Sequence, residues 1–586
     1  METIRRSSGV LAPIFTLPGV RDVGSLGRAA FLFVDFLSNA KQEWLQTTPI
    51  NPIDSYGSPY AGRSAFACET LYLDLEEFYR EGLLDSEDVE RVWRVPRVGV
   101  SSAFAQEDAR SERIDYRAAF GRRAPLWKKA FERYRSGVDA KYRAQEERFV
   151  QENRFWLDDY ALFQAIGEKE GGVFDWSKWP LELRRRDPAT LKAFAEQERD
   201  LIDYLKFLQL AFDSQWRVFR EYCQEKGVKL FGDVPIYVGQ TSADVWTNPE
   251  LFQVDSDGRV IREAGVPADD FNPDGQRWSS PLYRWEKHRE NNFDWWKRRM
   301  KKTLERFDVV RLDHFIGFYN YYSFPGRDYE NETREVSKAP ATSKDGRIYE
   351  DGWEPGPQEA FFDALFEELP PDAFVAEDLG VMNDGVRALR DKYGLSGMLV
   401  LQFSFDGVKI DQKIGQAPNP LDKWTDRYVA YTGTHDGAPI LGWLDDARRY
   451  GGRAWGSLDF SGVADVLRRY RRPDDVPAKT KRGLGVFLRR AFESSRVAKP
   501  KLGVSTKYRP LSPEVAALHR AALRAVAESP CRLAIFPLQD VVGLSNDARI
   551  NFPGVGEGNW TWRLADGVLT ENLASDLRKL TEDSGR

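Results

Sequence analysis

Seven short apolar runs in this chain each break into polar or glycine-rich residues just past their last large side chain. They are EWLQTTPINP (43–52), VKLFGDVPIYV (228–238), FDVVRLDHF (307–315), AFVAEDLG (373–380), MLVLQFSF (398–405), RYVAYTGTHD (427–436) and LAIFPLQD (533–540). Between them lie stretches of helical period. The clearest spans 192–226, where Leu201, Leu205, Leu208 and Phe212 fall on one face before Gly227 ends the run. Strands alternating with helices build βα units on a parallel sheet. Seven such runs in one chain favour an α/β fold of the closed (β/α)8, or TIM barrel, type with large insertions.

The insertions announce themselves by composition. Residues 74–226 are charged and helical, too long for a simple connection, and read as an inserted, mostly helical subdomain of a single catalytic barrel spanning 1–586. Residues 240–290 are rich in Pro, Gly, Asp and Trp around AGVPADDFNPDGQRW (264–278), which predicts an irregular lid or substrate loop. Val266, Phe271 and Trp278 inside it argue against disorder. From 445 to 515 the chain turns arginine-rich, with PDDVPAKTKRG and KPKLGVSTKYRPLSP, and reads as a peripheral insertion.

A net charge of −6 argues against a nucleic-acid partner, because phosphate binding needs a dense positive face. No window approaches the length of apolar sequence that a membrane span requires, and no long apolar run follows the two arginines near the start, so neither a membrane nor a signal peptide is expected. Cys68, Cys223 and Cys531 are odd in number and far apart, which suggests neither a disulfide framework nor a zinc site and fits a cytoplasmic setting. The 18 Trp, 23 Tyr and 36 Phe supply core and, where exposed, stacking surfaces for flat ligands.

In a (β/α)8 barrel the chemistry gathers at the C-terminal ends of the strands. The polar endings there are Asp233, Arg311, Asp313, Glu377, Asp378, His435, Asp436 and Asp540. Gathered acids without His/Cys clusters make a poor transition-metal site, although Mg²⁺ or Ca²⁺ stays open. They suit glycoside cleavage with retention, in which one carboxylate attacks and a second donates and then takes back a proton. The attacking acid must stay ionised. Arg311, two residues before Asp313 on one strand, projects to the same side and can hold it charged; a purely structural Arg–Asp pair closing the strand is the alternative.

These residues lie in motifs that resemble the amylomaltases, the 4-α-glucanotransferases of glycoside hydrolase family 77. The resemblance runs from SSGVLAPIFTLPG (7–19) through NPIDSYGSPYAGRSAFA (51–67), FGDVPIYVGQTSADVW (231–246), AGVPADDFNPDGQRW, RLDHFIGF, VAEDLG, LQFSF and YTGTHD to PLQDVVGLSNDARINFPGVGEGNWTWR (537–563). It implies that Asp313 is the nucleophile, Glu377 the general acid and then base, and Asp436 the third acid that grips the sugar hydroxyls. Arg311, His435, His314 and Asp233 are implied as substrate contacts, with Tyr56, Ser58, Asp270 and Trp278 lining the cleft and 264–278 as its lid. Asp233 as a partner of Arg311, and Trp278 as lid packing alone, remain open. The reaction implied moves an α-1,4-glucan segment between maltodextrin oligosaccharides or polysaccharides, or onto glucose or maltose, with no cofactor and no metal.

Several positions depart from the family's habit. Ile316 stands where Arg is usual, Trp278-Ser279-Ser280-Pro281 replaces Trp-Gly-Asn-Pro, Gly437-Ala438 replaces Asn-Asp, and Tyr322 replaces Trp. None is one of the three acids. A hydrolase of α-amylase type and a catalytically weak glucan-binding protein share the same acids; the first would release reducing ends without forming longer products, and the second would bind glucan without turnover.

Overall fold

The structure is a computed structural model that describes residues 5–18, 22–93, 111–137, 140–267, 275–327, 351–379, 383–405, 424–444, 513–553, 555 and 558–586. Asp270, the middle of the segment 264–278 and nearly all of 445–515 lie outside the described residues.

Eight parallel strands form the centre: β1 (Ser7–Leu11), β2 (Trp44–Gln46), β3 (Lys229–Val234), β4 (Val309–Leu312), β5 (Phe374–Ala376), β6 (Gly397–Val400), β7 (Tyr428–Tyr431) and β8 (Leu533–Pro537). Each pairs with its neighbour in chain order, and β8 returns to β1 with Leu533 opposite Ser7. The ring closes between β5 and β6 through a bridge from Val375 to Ser396 and an N–H of Ala376 donating to Ser396 O at 2.8 Å. This is a (β/α)8 barrel. Seven of its strands coincide with the apolar runs. The eighth, β1, reads SSGVL: Gly9 has no side chain because a Cβ there would meet Trp44 at 2.5 Å, so the strand is too small-residued to register as apolar.

Strand alternation sorts the side chains into two cores. Leu11, Trp44, Phe231, Val309, Val375, Met398, Val400, Val429, Tyr431, Leu533 and Ile535 fill the barrel interior as one cluster. Residues of opposite phase, such as Val10, Leu45, Val310, Phe374 and Phe536, join the larger core beneath the helices. Those helices include α1 (Arg28–Asn39), α2 (Arg199–Glu225), α3 (Asp294–Arg306), α4 (Glu359–Phe366), α5 (Asp384–Lys392), α6 (Pro513–Ala527) and α7 (Glu571–Asp583). The terminal α7 closes beside α1, where Gln42 Nε2 donates to Thr581 Oγ1 at 2.8 Å.

Two local expectations are corrected. The helical stretch 192–226 is not continuous: Pro188–Gln197 and α2 are separate helices, broken at Glu198, whose backbone leaves helical geometry (φ −103°, ψ 24°) and whose carboxylate pairs with Lys169 at 2.6 Å. The segment 240–290 is also less irregular than its composition suggests. Arg262–Val266 and Gln276–Pro281 are strands of a four-stranded antiparallel sheet completed by Asn320–Pro325 and Gly352–Pro355. Their partners lie far along the chain, so no local pattern reveals them. Between β2 and α2 the described residues are chiefly helical, with Tyr116–Gly137 and Ala140–Lys169 the longest elements. No helix among the described residues is long and apolar enough to cross a membrane.

Candidate active site

The interior phase of three strands changes chemistry at the same height. Along β3 Phe231 gives way to Asp233, along β4 Val309 gives way to Arg311 and, just past its end, Asp313, and after β5 Val375 gives way to Glu377. Strand register sets these groups side by side: Asp233 is opposite Arg311, and the Glu377 N–H donates to Leu312 O at 3.0 Å. Asp378, one residue out of phase, turns outward. It pairs with Arg390 on α5 and accepts the Met398 N–H at 2.7 Å.

Arg311 is the hub. Its guanidinium is 6 % exposed and forks, one nitrogen meeting Asp233 Oδ2 at 2.6 Å and the other Asp313 Oδ1 at 2.7 Å. That fork geometry is why arginine, and not lysine, suits the position. The Glu377 carboxylate accepts the N–H groups of His314 (2.8 Å) and Leu379 (3.1 Å). His314 adopts a left-handed backbone, φ 47°, which aims its N–H at Glu377. On the loop after β7, Asp436 is held at Oδ1 by Asn551 Nδ2 (2.7 Å), at its carbonyl by Arg549 (2.7 Å), and at Oδ2 by His435 Nε2 (3.2 Å). Buried Asp540, just beyond β8, accepts from Thr432 Oγ1 at 2.5 Å and from the Ile440 N–H at 2.7 Å, fixing both ends of that loop.

Environment divides the acids. Burial pushes Glu377 up to about 8; Arg311 opposes and the Asp313 charge adds to the rise. Burial also raises Asp313, to about 6, but Arg311 offsets much of the cost of its charge. Both acids are raised, Glu377 further than Asp313, so Asp313 gives up its proton at the lower pH and Glu377 holds its own longer. For Asp436 burial acts upward, yet His435 and Asn551 more than offset it and hold the carboxyl well below its usual range. His314 is driven down to about 4 by burial and by Arg311, so its ring is neutral. Among the described residues no group of three or more His, Cys, Asp or Glu is placed to hold a metal ion.

The remaining residues singled out in the sequence take varied positions. Trp278 is half-buried, its ring edge-on to His314 at 4.8 Å and near Tyr237. Tyr56 is 63 % exposed, and Tyr56 and Ser58 share a turn in which both N–H groups donate to Asp54. Asp233 is 2 % exposed in its side chain and lies beneath the arginine. Two central groups escaped the sequence reading, Tyr60 and Asn551. Both fall inside quoted motifs, but their place follows from loops folding over the barrel mouth, which local patterns do not encode. The departure at Ser279 is structurally legible: φ is 53°, the conformation that the family's glycine accepts freely, and here the Ser279 N–H is tied to buried Glu263 at 2.8 Å. Ile316 opens a short helix against the core, and the Tyr322 hydroxyl donates to Asp351 at 2.5 Å. Gly437 sits over Gln402, with room for a Cβ at 3.5 Å.

Residues 12–570 match the profile of the glycoside hydrolase 77 family, described as 4-alpha-glucanotransferase. The chain belongs to that family. It is similar to the 4-alpha-glucanotransferase of Thermus thermophilus (33 % identical, covering 99 % of both chains) and to that of Synechocystis sp. (32 %, covering 99 % of this chain and 98 % of the other). Among solved structures it resembles an amylomaltase from Streptococcus agalactiae in complex with acarbose, with 29 % identity, a TM-score of 0.78, and coverage of 99 % of this chain and 100 % of that one. This glycoside hydrolase 77 member has 4-α-glucanotransferase activity, transferring glucan segments.

The raised Glu377 makes a paired prediction. Its folded value of about 8 lies above the ordinary 4.5, so its contribution to stability is complete below pH 4.5 and lost as pH rises through 8. Glu377→Gln carries no such loss. Turnover should fall by roughly 10³-fold, the scale of general-acid catalysis, while the variant's melting temperature gains on that of the wild type across this window. A gap between the two melting curves that stays constant with pH would contradict the raised value.

Proposed function

We propose that the family's transfer reaction runs here by double displacement through the three acids. A carboxylate oxygen of Asp313 attacks the anomeric carbon of an α-1,4-linked glucose unit. The bond to the glycosidic oxygen breaks, its electron pair leaves with that oxygen, and the proton of Glu377 neutralises it. The shortened chain departs, and a glycosyl ester on Asp313 remains. Glu377, now ionised, removes the proton from the 4-hydroxyl of an incoming sugar, whose oxygen displaces Asp313. Two inversions give net retention. Asp436, poised as a carboxylate by His435 and Asn551, accepts hydroxyl protons of the sugar ring held between the two acids.

The observation that carries this reading is the Arg311 fork on Asp313 and Asp233 beside a Glu377 that, among the described residues, lacks any such cation and meets only the N–H groups of His314 and Leu379, an arrangement that supports opposite charge states in two neighbouring carboxyls. Oligosaccharides and polysaccharides of α-1,4-glucose are the donors, and glucose, maltose or a longer maltodextrin the acceptor. The sheet bearing Trp278 serves as the lid that keeps water from resolving the ester. Three buried free cysteines are in keeping with a cytoplasmic setting.

The test is incubation of the purified protein with maltotriose and separation of the products by size. Glucose with maltopentaose and longer chains is expected. Glucose and maltose alone would identify a hydrolase and overturn the acceptor half of the proposal.

A further inference from the structure

The hydroxyl of Tyr60 lies between two halves of the site and has one proton to give. Its oxygen is 2.6 Å from Asp233 Oδ2 and 2.8 Å from His435 Nε2. That same Nε2 is 3.2 Å from Asp436 Oδ2. Asp233 Oδ2 is already ion-paired with Arg311 at 2.6 Å.

The protons can be placed in two ways. If Tyr60 donates to His435, the lone pairs of the phenol face the Asp233 carboxylate at 2.6 Å and a bare Nε2 faces the Asp436 carboxylate at 3.2 Å. Both are contacts between electron-rich atoms, in a pocket where low dielectric magnifies the repulsion. If Tyr60 donates to Asp233, its oxygen is free to accept from an Nε2–H, and that N–H also leans on Asp436. Every contact is then donor to acceptor. The charged groups that face Tyr60 are Asp233, Arg311, Asp313 and Asp436, one cation against three carboxylates.

We infer that Tyr60 is a positioning residue which, by donating to Asp233, fixes a proton on Nε2 of His435 and makes that nitrogen a standing donor to Asp436. The inference rests on the roles given above for Asp313 and Asp436, and it joins them. Asp313, Arg311, Asp233, Tyr60, His435 and Asp436 form one chain of contacts in which each proton has a set direction. The geometry of the rings makes the hydroxyl separable from the rest. Tyr60 stacks on His435 at 5.3 Å with 17° between planes, and Trp560 lies 5.5 Å from Tyr60 and 5.8 Å from His435. Tyr60→Phe keeps this aromatic stack and removes the oxygen alone.

The chain has four histidines, so the ring nitrogens of full-length protein carrying isotope-labelled histidine can be resolved by NMR, with His435→Gln supplying the assignment. The wild type is expected to show a protonated Nε2 on His435 at neutral pH. In Tyr60→Phe a second population lacking that proton should appear. Maltotriose disproportionation should lose roughly tenfold in kcat with KM moving less than about twofold, the worth of one hydrogen bond to a charged network. A wild-type Nε2 without its proton overturns the inference. So does a variant that keeps the proton, since Asp436 alone would then fix it, and so does an unchanged kcat, since the proton's place would then not matter to turnover. The nitrogen signal is read without substrate; a failure of the double-displacement reading shows itself separately, as wild-type protein that forms no longer chains from maltotriose.

Discussion

Asp313→Asn should abolish glucan transfer, with turnover lower by on the order of 10⁴-fold or more, as for loss of the attacking group in other covalent catalysts. The substitution keeps shape and leaves Arg311 paired with Asp233 at 2.6 Å, so the barrel mouth has no reason to rearrange. Burial raises the Asp313 carboxyl toward 6, which means its charge costs stability at neutral pH, and the neutral amide should melt no earlier than the wild type. Inactivity with an undiminished melting temperature therefore separates a chemical role from a structural one. A sharper version uses Asp313→Gly with azide. The small anion can occupy the vacated volume and attack the same face of the anomeric carbon, and because nothing displaces it in turn the product is the β-glycosyl azide. Formation of the α-glycosyl azide, or no rescue together with residual transfer near the wild-type rate, would remove Asp313 from the nucleophile's role.

Arg311→Met should be the most destabilising single change at the site. The side chain is 6 % exposed and neutralises two carboxylates, Asp233 at 2 % exposure and Asp313 at 22 %. Methionine fills much of the volume, but it leaves both acids in a dry pocket without a counter-charge. Breaking a buried pair from one side costs roughly 3–5 kcal/mol. Denaturant unfolding measures it directly, and a loss below about 1 kcal/mol would mean that water reaches the acids freely. The sign of the pH response follows. Without the arginine, which holds the Asp313 value down, Asp313 takes up its proton more readily in the folded protein, so the variant's deficit should shrink as pH falls. Arg311→Lys is expected to recover only part of the loss, since an ammonium cannot meet both carboxylates in one plane.

How much of this was legible in the residues themselves depends on distance along the chain. The alternation of FDVVRLDHF places Arg311 and Asp313 on one side of one strand, and the 2.7 Å pair follows. That Arg311 equally serves Asp233, 78 residues earlier, was one of two readings the residues left open, and deciding it needs the register of β3 against β4. β1 went unread as a strand because Gly9 yields its space to Trp44, and a strand defined by what it lacks carries no hydrophobic signal. Tyr60 shows the same limit in the site. The motif NPIDSYGSPY carries part of the family resemblance, and that resemblance pointed to Tyr56 and Ser58; the turn built on Asp54 is seen only in the structure. Which tyrosine enters the mouth is decided by the direction in which the turn delivers the chain, and Tyr56 ends 63 % exposed while Tyr60 meets Asp233 and His435. The antiparallel sheet around Trp278 lay hidden for a related reason, since its strands find their partners only after the barrel has formed.

The seam between β5 and β6 gives the molecule a mechanical character of its own. Elsewhere around the ring the strands pair as ladders; here, among the described residues, a single bridge at Val375 and the hydrogen bond from Ala376 hold the two edges, with Asp378 reaching across to Met398 as a clasp. Glu377 stands directly above that clasp. A hoop under thermal load parts at its weakest joint, and in this one Glu377 is rooted beside that joint. Opening of that seam is therefore expected to displace Glu377 before the remaining ladders part, since the bridge at Val375 and the clasp from Asp378 to Met398 flank it on either side.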